Sequence, residues 1–191
     1  MVSLAQLWLP ILLGAIGVFV ASSILHMVFQ AWHSVDYHGF SNEDEVAAAM
    51  RKGSPAPGMY MIPYCKMGDF KKPETLEKFK KGPLAFLLIR AGTSPGMGKS
   101  LSLWFVFCLV VSLFSGYLGS ATLAAGTAVP QVLRVTATAA FMAFGFASIP
   151  MGIWYGQPWG AVLKDAIDGL IYGLVIGVAF AFLWPAAVAA A

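Results

Sequence analysis

Four segments of the chain are long and apolar enough to cross a lipid bilayer, at about residues 7–32, 101–123, 132–154 and 161–187. A spanning helix needs roughly 20 mostly apolar residues. Only 11% of the 191 residues are charged, whereas a soluble domain carries about 25%. Because backbone polar groups inside lipid need internal partners, helices are the expected structure. The sequence predicts an all-α polytopic membrane protein, with four transmembrane helices in a bundle and one membrane domain over residues 1–191.

The first apolar segment lacks the features of a cleaved signal peptide. The first seven residues contain no Lys or Arg, and the apolar stretch is longer than a typical signal-peptide core. We therefore expect this segment to be retained as a membrane helix.

The basic residues predict the orientation of the chain. Ten of the twelve Lys and Arg residues lie between the first and second segments, Lys164 lies near the connection between the third and fourth, and only Arg134 lies on the opposite side. Cytoplasmic loops carry an excess of Lys and Arg. We expect a bacterial inner-membrane protein with both termini periplasmic and residues 33–98 cytoplasmic. The net charge of only +3, with no broad basic face, argues against a nucleic-acid partner.

The long connection at residues 33–98 is expected to form a short helical cap and not a second domain. Either Asn42 with Glu45 or Ser41 with Asp44 resembles the capping box that begins a helix. The charge pattern of residues 43–52, with acids first and bases last, supports that helix.

Two further segments of the connection carry structural signals. Residues 73–81 predict a second short helix, with Pro at its first position and Gly82 at its end. Residues 83–90 are apolar but too short to span a membrane, so we expect them to lie in the inner interface or to pack under the bundle.

The sequence between Gly92 and Ser100 resembles a phosphate-binding loop but has the wrong spacing. The nucleotide-binding pattern needs four residues between its first Gly and the Gly-Lys-Ser end, and here there are five. The following segment is also a candidate membrane span. We expect no nucleotide to bind.

All three histidines, His26, His33 and His38, lie within thirteen residues. On a continuous helix His26 and His33 would share a face about 10 Å apart, too far for one metal ion held by both. Asp168 is the expected partner of His26 in an intramembrane polar cluster completed by Ser22, Ser23 and Gln30. Such a cluster is either structural or has a metal, haem, quinone or proton-carrying role.

A sulfur-rich stretch gives a second group of candidate metal ligands, formed by Met59, Met61, Cys65 and Met67. Soft ligands of this kind select copper(I), although Met also fills gaps under packed loops. The expected cytoplasmic location keeps Cys65 reduced. The candidate metal-ligand set is therefore His26 and His33 or these four residues, and our first interpretation assigns no cofactor.

Small residues recur every four positions in three of the apolar segments. Such stripes let helices approach closely in a membrane, where lipid provides no hydrophobic drive. We expect them to pack within the bundle, with one face left for a homo-oligomer. The helix-packing residues are Gly169, Gly173, Gly177 and Ala181 in the fourth segment and Ser112, Gly116 and Ser120 in the second.

Four blocks of sequence resemble small four-helix bacterial inner-membrane proteins grouped as domains of unknown function. The blocks are residues 57–63 (PGMYMIP), 97–105 (MGKSLSLWF), 154–159 (WYGQPW) and 164–173 (KDAIDGLIYG). The resemblance implies a four-helix membrane fold and a bacterial host, and it carries no catalytic residues.

The sequence thus favours a non-enzymatic membrane protein that acts as an oligomer or as an accessory subunit of a membrane complex. One alternative is a metal- or haem-binding membrane protein. Another is a carrier of a small molecule or of protons, with His26 and Asp168 as the titrating pair. An enzyme is least expected, because the sequence has no nucleophile triad or carboxylate pair compatible with this topology.

Overall fold

A computed structural model of the protein describes residues 2–92 and 96–187. The structure is 69% helical. Four helical stretches are long and apolar enough to cross a membrane, namely Leu4–Val28, Met97–Thr122, Val129–Tyr155 and Trp159–Phe182, and two of them combine shorter helices. In chain order the helices are α1 (Trp8–Ser23), α2 (Ala31–Ser34), α3 (Glu43–Gly53), α4 (Pro73–Lys81), α5 (Met97–Thr122), α6 (Val129–Gly145), α7 (Ile149–Tyr155) and α8 (Trp159–Phe182), with strands β1 (Gly58–Ile62) and β2 (Ala85–Ile89).

The described residues divide into two compact units. The first, which we call the helical unit, contains residues 2–37 and 96–187. The second, which we call the loop unit, contains residues 38–92. The loop unit lies within the connection that the sequence predicts to be a cap.

The first apolar segment is not one continuous helix. A 3-10 turn, Leu4–Leu7, precedes α1 and is capped by Ser3, whose hydroxyl oxygen accepts from the backbone of Gln6. A π-helical turn, Ile24–Val28, follows α1. The predicted helix over residues 7–32 therefore ends earlier, and α2 is a separate short helix.

The third apolar segment is also interrupted, between α6 and α7. Pro150 lies in the first turn of α7, where its missing N–H and its ring prevent α6 from continuing. The fourth segment forms α8, which ends at Phe182, before the predicted limit at residue 187. Pro185 follows closely, as is common after a helix end.

Helix α8 packs most extensively against α6 and also contacts α1. The glycine stripe makes the α6 contact possible. A Cβ at Gly169 would lie 2.5 Å from the backbone of Gly145, and one at Gly173 would lie 2.8 Å from the carbonyl oxygen of Ala137. A Cβ at Gly177 would also meet Ala137, at 2.6 Å. Ala181 is buried at the end of the stripe, so the whole stripe faces the interior of the helical unit.

Two of the three small residues predicted to pack on α5 contact other helices, and the third bonds within α5. Ser112 is buried and its hydroxyl donates to the backbone oxygen of Ile11, at 2.8 Å, which joins α5 to the first segment. A Cβ at Gly116 would meet the ring of Phe180 in α8 at 2.9 Å. Ser120 instead bonds within its own helix, to the oxygen of Tyr117.

The loop unit has the two predicted helices. Helix α4 has the predicted bounds, and Gly82 ends it with a positive φ of 57°. Helix α3 begins after Asn42, but the predicted capping box is not formed. Instead, the side-chain amide of Asn42 donates to the carboxylate of Glu45, at 3.1 Å, and no side chain caps the backbone.

The loop unit also contains a two-stranded sheet, which corrects the prediction of an all-α fold. Strands β1 and β2 are antiparallel, with Tyr60 opposite Leu87. Residues 83–90, which we expect to lie in the inner interface or to pack under the bundle, contain β2, whose side chains alternate between half-buried and exposed. Periodicity in so short an apolar run does not separate strand from helix.

Candidate functional site

The chain leaves α-helical geometry around His26, in the π-helical turn Ile24–Val28, and the helix ends at Phe29. The backbone N–H of Phe29 donates to the oxygen of Ile24, five residues back, which closes the π-helical turn. Phe29 itself has non-helical angles, φ −92° and ψ 50°. The chain therefore turns before α2, and the imidazole of His33 comes to lie against that of His26.

The two imidazole rings are stacked, with centroids 4.6 Å apart and planes 15° from parallel. The expectation that they lie about 10 Å apart was wrong, because it assumed a continuous helix. Nδ1 of His26 lies 3.0 Å from the backbone oxygen of Ser22. Since that oxygen can only accept, Nδ1 carries a proton, and in the neutral ring the lone pair is on Nε2.

Asp168 of α8 is buried, with 4% of its surface exposed, and binds two groups from the α2 segment. Its Oδ2 lies 2.7 Å from Nε2 of His33, and its Oδ1 accepts from the indole N–H of Trp32 at 2.9 Å. The expected partner was His26. The direct hydrogen bond goes to His33, while His26 lies beside the pair: one ligand atom of each of the three residues falls within 4.8 Å of the others.

A second pair of charges lies on the other side of His33. The ammonium of Lys164 donates to Oδ1 of Asp36 at 2.7 Å, and Oδ2 of Asp36 lies 3.7 Å from Nδ1 of His33. The same ammonium lies 5.7 Å from the centroid of the Trp32 ring, within cation–π range. His33 is thus flanked by two carboxylates, and one lysine compensates the outer of them.

A cavity of about 490 Å³ opens beside this cluster, within the helical unit. His26 and Asp168 line it together with Ser22, Ser23 and Asp165. Four further lining residues are aromatic. We call this group the aromatic wall, formed by Trp104, Phe107, Phe144 and Tyr172.

The rings of the aromatic wall contact one another and are held in place. Phe144 lies 5.4 Å from Tyr172, 5.5 Å from Phe107 and 5.9 Å from Trp104, measured between ring centroids. The indole N–H of Trp104 donates to the hydroxyl of Ser22 at 2.8 Å. The wall is therefore tied to the segment that carries His26.

Two of the residues that line the cavity have hydroxyl groups that are buried without a hydrogen-bond partner among the described residues. They belong to Tyr172, which is 4% exposed, and to Ser148, in the break between α6 and α7. A buried polar group without a partner costs roughly 1–3 kcal/mol. Both oxygens have almost no accessible surface, so each side chain must turn before its hydroxyl can donate to a molecule in the cavity.

The other predicted members of the polar cluster lie at its margin. The hydroxyl of Ser23 lines the cavity but donates to the oxygen of Phe19 in its own helix. Gln30 is exposed, and its amide donates to the oxygen of Met27. His38 is exposed in the loop unit.

The sulfur-rich stretch lies in the loop unit. Met59 and Met61 are on β1, where their spacing places them on the same face of the strand. Met59 and Met67 are 68% and 90% exposed, and Cys65 is a free, half-buried thiol. A copper site at these residues remains a prediction. The phosphate-loop pattern includes residues 93–95, which lie outside the described residues.

Sequence reasoning missed Trp32, Asp36 and Lys164 as members of the site. Trp32 bonds to Asp168, and Lys164 bonds to Asp36. Each bond joins residues more than 100 positions apart in the chain. The available signal was that charged residues are rare in the helical unit, so Asp36 and Lys164 need partners there. Comparisons with protein-family models, curated proteins and solved structures find no match for this chain.

Proposed function

We propose that this chain is an integral membrane protein that binds a small, largely apolar molecule in the cavity beside His26 and Asp168. The cavity carries the proposal. Its volume of about 490 Å³ falls within the range of ligand-binding pockets, roughly 300–1,000 Å³. Its aromatic and apolar lining with a few polar groups is also typical of such pockets.

The two unpartnered hydroxyls indicate which chemical group the molecule carries. The hydroxyls of Tyr172 and Ser148 are buried without a partner, so a carbonyl or similar acceptor that bound as these side chains turned towards it would satisfy them. The aromatic wall offers ring faces and edges for a flat apolar ring. We therefore propose a ring-containing, acceptor-bearing molecule that enters from the lipid, with no covalent chemistry performed on it.

The proposed setting is a bacterial inner membrane, with the cavity near the cytoplasmic end. The four apolar helices support membrane insertion, and the distribution of Lys and Arg supports the orientation. Self-association receives less support from the glycine stripe of α8, because that stripe already packs against α6 within one chain.

The test is binding to the purified protein in a mild detergent. Native mass spectrometry would detect a co-purified molecule, and calorimetric titration with 2-methyl-1,4-naphthoquinone would probe the cavity directly. Tyr172→Phe removes only the hydroxyl, and Ala143→Phe places a ring in the cavity. Tyr117→Phe is the matched control, because Tyr117 is 52% exposed on α5.

We expect saturable binding by the wild type and by Tyr117→Phe. Tyr172→Phe should bind roughly 2- to 10-fold more weakly, the effect of one hydrogen bond, and Ala143→Phe should not bind. Equal affinity for all four proteins would contradict the proposal, as would the absence of both a co-purified molecule and saturable binding.

A further inference from the structure

The His26, His33 and Asp168 cluster has the composition of a metal site. One ligand atom of each residue lies within 4.8 Å of the others, and this is the one such group of His, Cys, Asp and Glu found in the described ranges 2–92 and 96–187. Two imidazoles with one carboxylate are typical ligands of zinc and of divalent iron, whereas calcium and magnesium prefer oxygen ligands alone.

The groups that contact these three residues from outside the cluster also suit a metal site. Metal-binding histidines usually donate their other ring N–H to a backbone carbonyl or a carboxylate. His26 does so to the oxygen of Ser22, at 3.0 Å, which leaves its Nε2 free to bind. Nδ1 of His33 faces Asp36, and Oδ1 of Asp168 accepts from Trp32.

From these contacts we propose that His26, His33 and Asp168 bind one divalent first-row transition-metal ion of the zinc class. The ion takes the place of the proton between Nε2 of His33 and Oδ2 of Asp168. In a neutral His33 the single ring proton moves from Nε2 to Nδ1, facing Asp36, by exchange with water, and no net proton is released; an imidazolium His33 releases the Nε2 proton to water and keeps the one on Nδ1. No other covalent bond is made or broken.

The site closes by a small movement of His26. Ligand atoms around a tetrahedral zinc ion are about 3.3 Å apart, given zinc–nitrogen distances of roughly 2.0–2.1 Å. The widest gap, at most 4.8 Å, must therefore shorten by about 1.5 Å. One of the stacked rings must also turn, since parallel rings do not direct their lone pairs to one point. His26 is exposed whereas Asp168 is buried, so His26 is the residue that moves.

The charges around the site favour a cation. Two carboxylates, Asp168 and Asp36, flank His33, and Lys164 compensates one of them. Asp168 is buried in a helix apolar enough to span a membrane, where an uncompensated charge is costly. His26 and Asp168 also line the cavity, so the fourth coordination position of a three-ligand ion would be open to it.

The experiment measures metal binding alone and is independent of any cavity ligand. The full chain is purified in detergent with its affinity tag removed, stripped with a chelator and dialysed against Zn²⁺, and bound zinc is measured by elemental analysis. Replacement of Zn²⁺ by Co²⁺ adds visible absorption that reports the ligand set. The variants are His26→Ala, His33→Ala and Asp168→Asn, with His38→Ala as the matched control.

We expect one zinc per chain for the wild type and for His38→Ala. Each of the other three variants should bind at least about tenfold more weakly. If the His33 and Asp168 variants fail to fold, His26→Ala still tests the site, because it leaves the bond between His33 and Asp168 intact. Less than half an equivalent of zinc on the wild type, or full affinity in His26→Ala, would overturn the proposal. Naphthoquinone binding by the stripped protein is a separate readout, so this site and the cavity can fail independently.

Discussion

The imidazole rings of His26 and His33 lie stacked, 4.6 Å apart between centroids, although seven residues separate them in the chain. A straight helix would separate the two residues by about 10 Å. The stack exists because the π-helical turn Ile24–Val28 and the non-helical backbone of Phe29 redirect the chain between them. π-helical turns often occur at functional sites, and here the turn brings a second histidine to Asp168.

The bonds to Asp168 predict a large and graded loss of stability on its replacement. Asp168→Ala leaves the donors of Trp32 and His33 without an acceptor, so the free energy of unfolding should fall by roughly 1–3 kcal/mol or more. Asp168→Asn keeps an oxygen for Trp32 and should lose less. Thermal unfolding in detergent, followed by tryptophan fluorescence, measures both.

Asp165→Ala is the control for that series. Asp165 lies one helical turn away, is half-buried and accepts one bond, from Gln157 at 3.0 Å. Its replacement should therefore cost less than Asp168→Ala. If the two alanine variants unfold at the same temperature, the bonds to Trp32 and His33 do not stabilise the fold.

The close contact between α6 and α8 predicts that Gly169→Ala is destabilising. The added methyl group would lie 2.5 Å from backbone atoms of Gly145, and backbone moves only if the helices separate. Overpacking of this kind costs roughly 1–3 kcal/mol. The measurement is again thermal unfolding in detergent.

Gly160→Ala provides the matched comparison in the same helix. A Cβ at Gly160 meets nothing within 4 Å, so only the helix propensity changes; because Gly160 lies in the first turn of α8, alanine should stabilise the helix by at most about 0.5–1 kcal/mol. A Gly169→Ala protein as stable as Gly160→Ala would show that α8 does not approach α6 this closely.

The sequence predicted the apolar helices well because their signal is local. Length and hydropathy alone identify α5 and α8, and terminal residues such as Pro73 and Gly82 identify α4. The small-residue spacing also predicted which face of α8 packs closely, since Gly169 and Gly173 contact α6.

The candidate site was harder to predict because it depends on interruptions of helices. No single residue between His26 and His33 is a strong helix breaker, so the π-helical turn left no clear sequence signal. The bond between Lys164 and Asp36 joins positions 128 residues apart. Strand β2 was missed because its partner β1 lies more than 20 residues away in the chain.

The register of the two strands predicts which pair of introduced cysteines can form a disulfide. In a background with Cys65→Ser and Cys108→Ser, Tyr60→Cys with Leu87→Cys places two thiols directly opposite each other, with Cβ atoms about 4.5–5.5 Å apart. Mild oxidation should form an intramolecular disulfide, seen as a mobility shift on a non-reducing gel. Tyr60→Cys with Leu88→Cys should cross-link poorly, because adjacent strand positions point to opposite faces. Equal cross-linking of both pairs would contradict this register.

The burial and position of the two cysteines predict how each reacts with a thiol reagent added on either side of the membrane. Cys65 is half-buried in the loop unit, and Cys108 is fully buried within α5. If residues 33–98 are cytoplasmic, a membrane-impermeant maleimide should leave Cys65 unmodified in intact cells and should label it in inverted membrane vesicles. Cys108 should stay unmodified in both until detergent denaturation, and Cys65→Ser and Cys108→Ser assign each signal to one thiol. Labelling of Cys65 in intact cells would reverse the orientation, since ten of the twelve basic residues lie in the same connection.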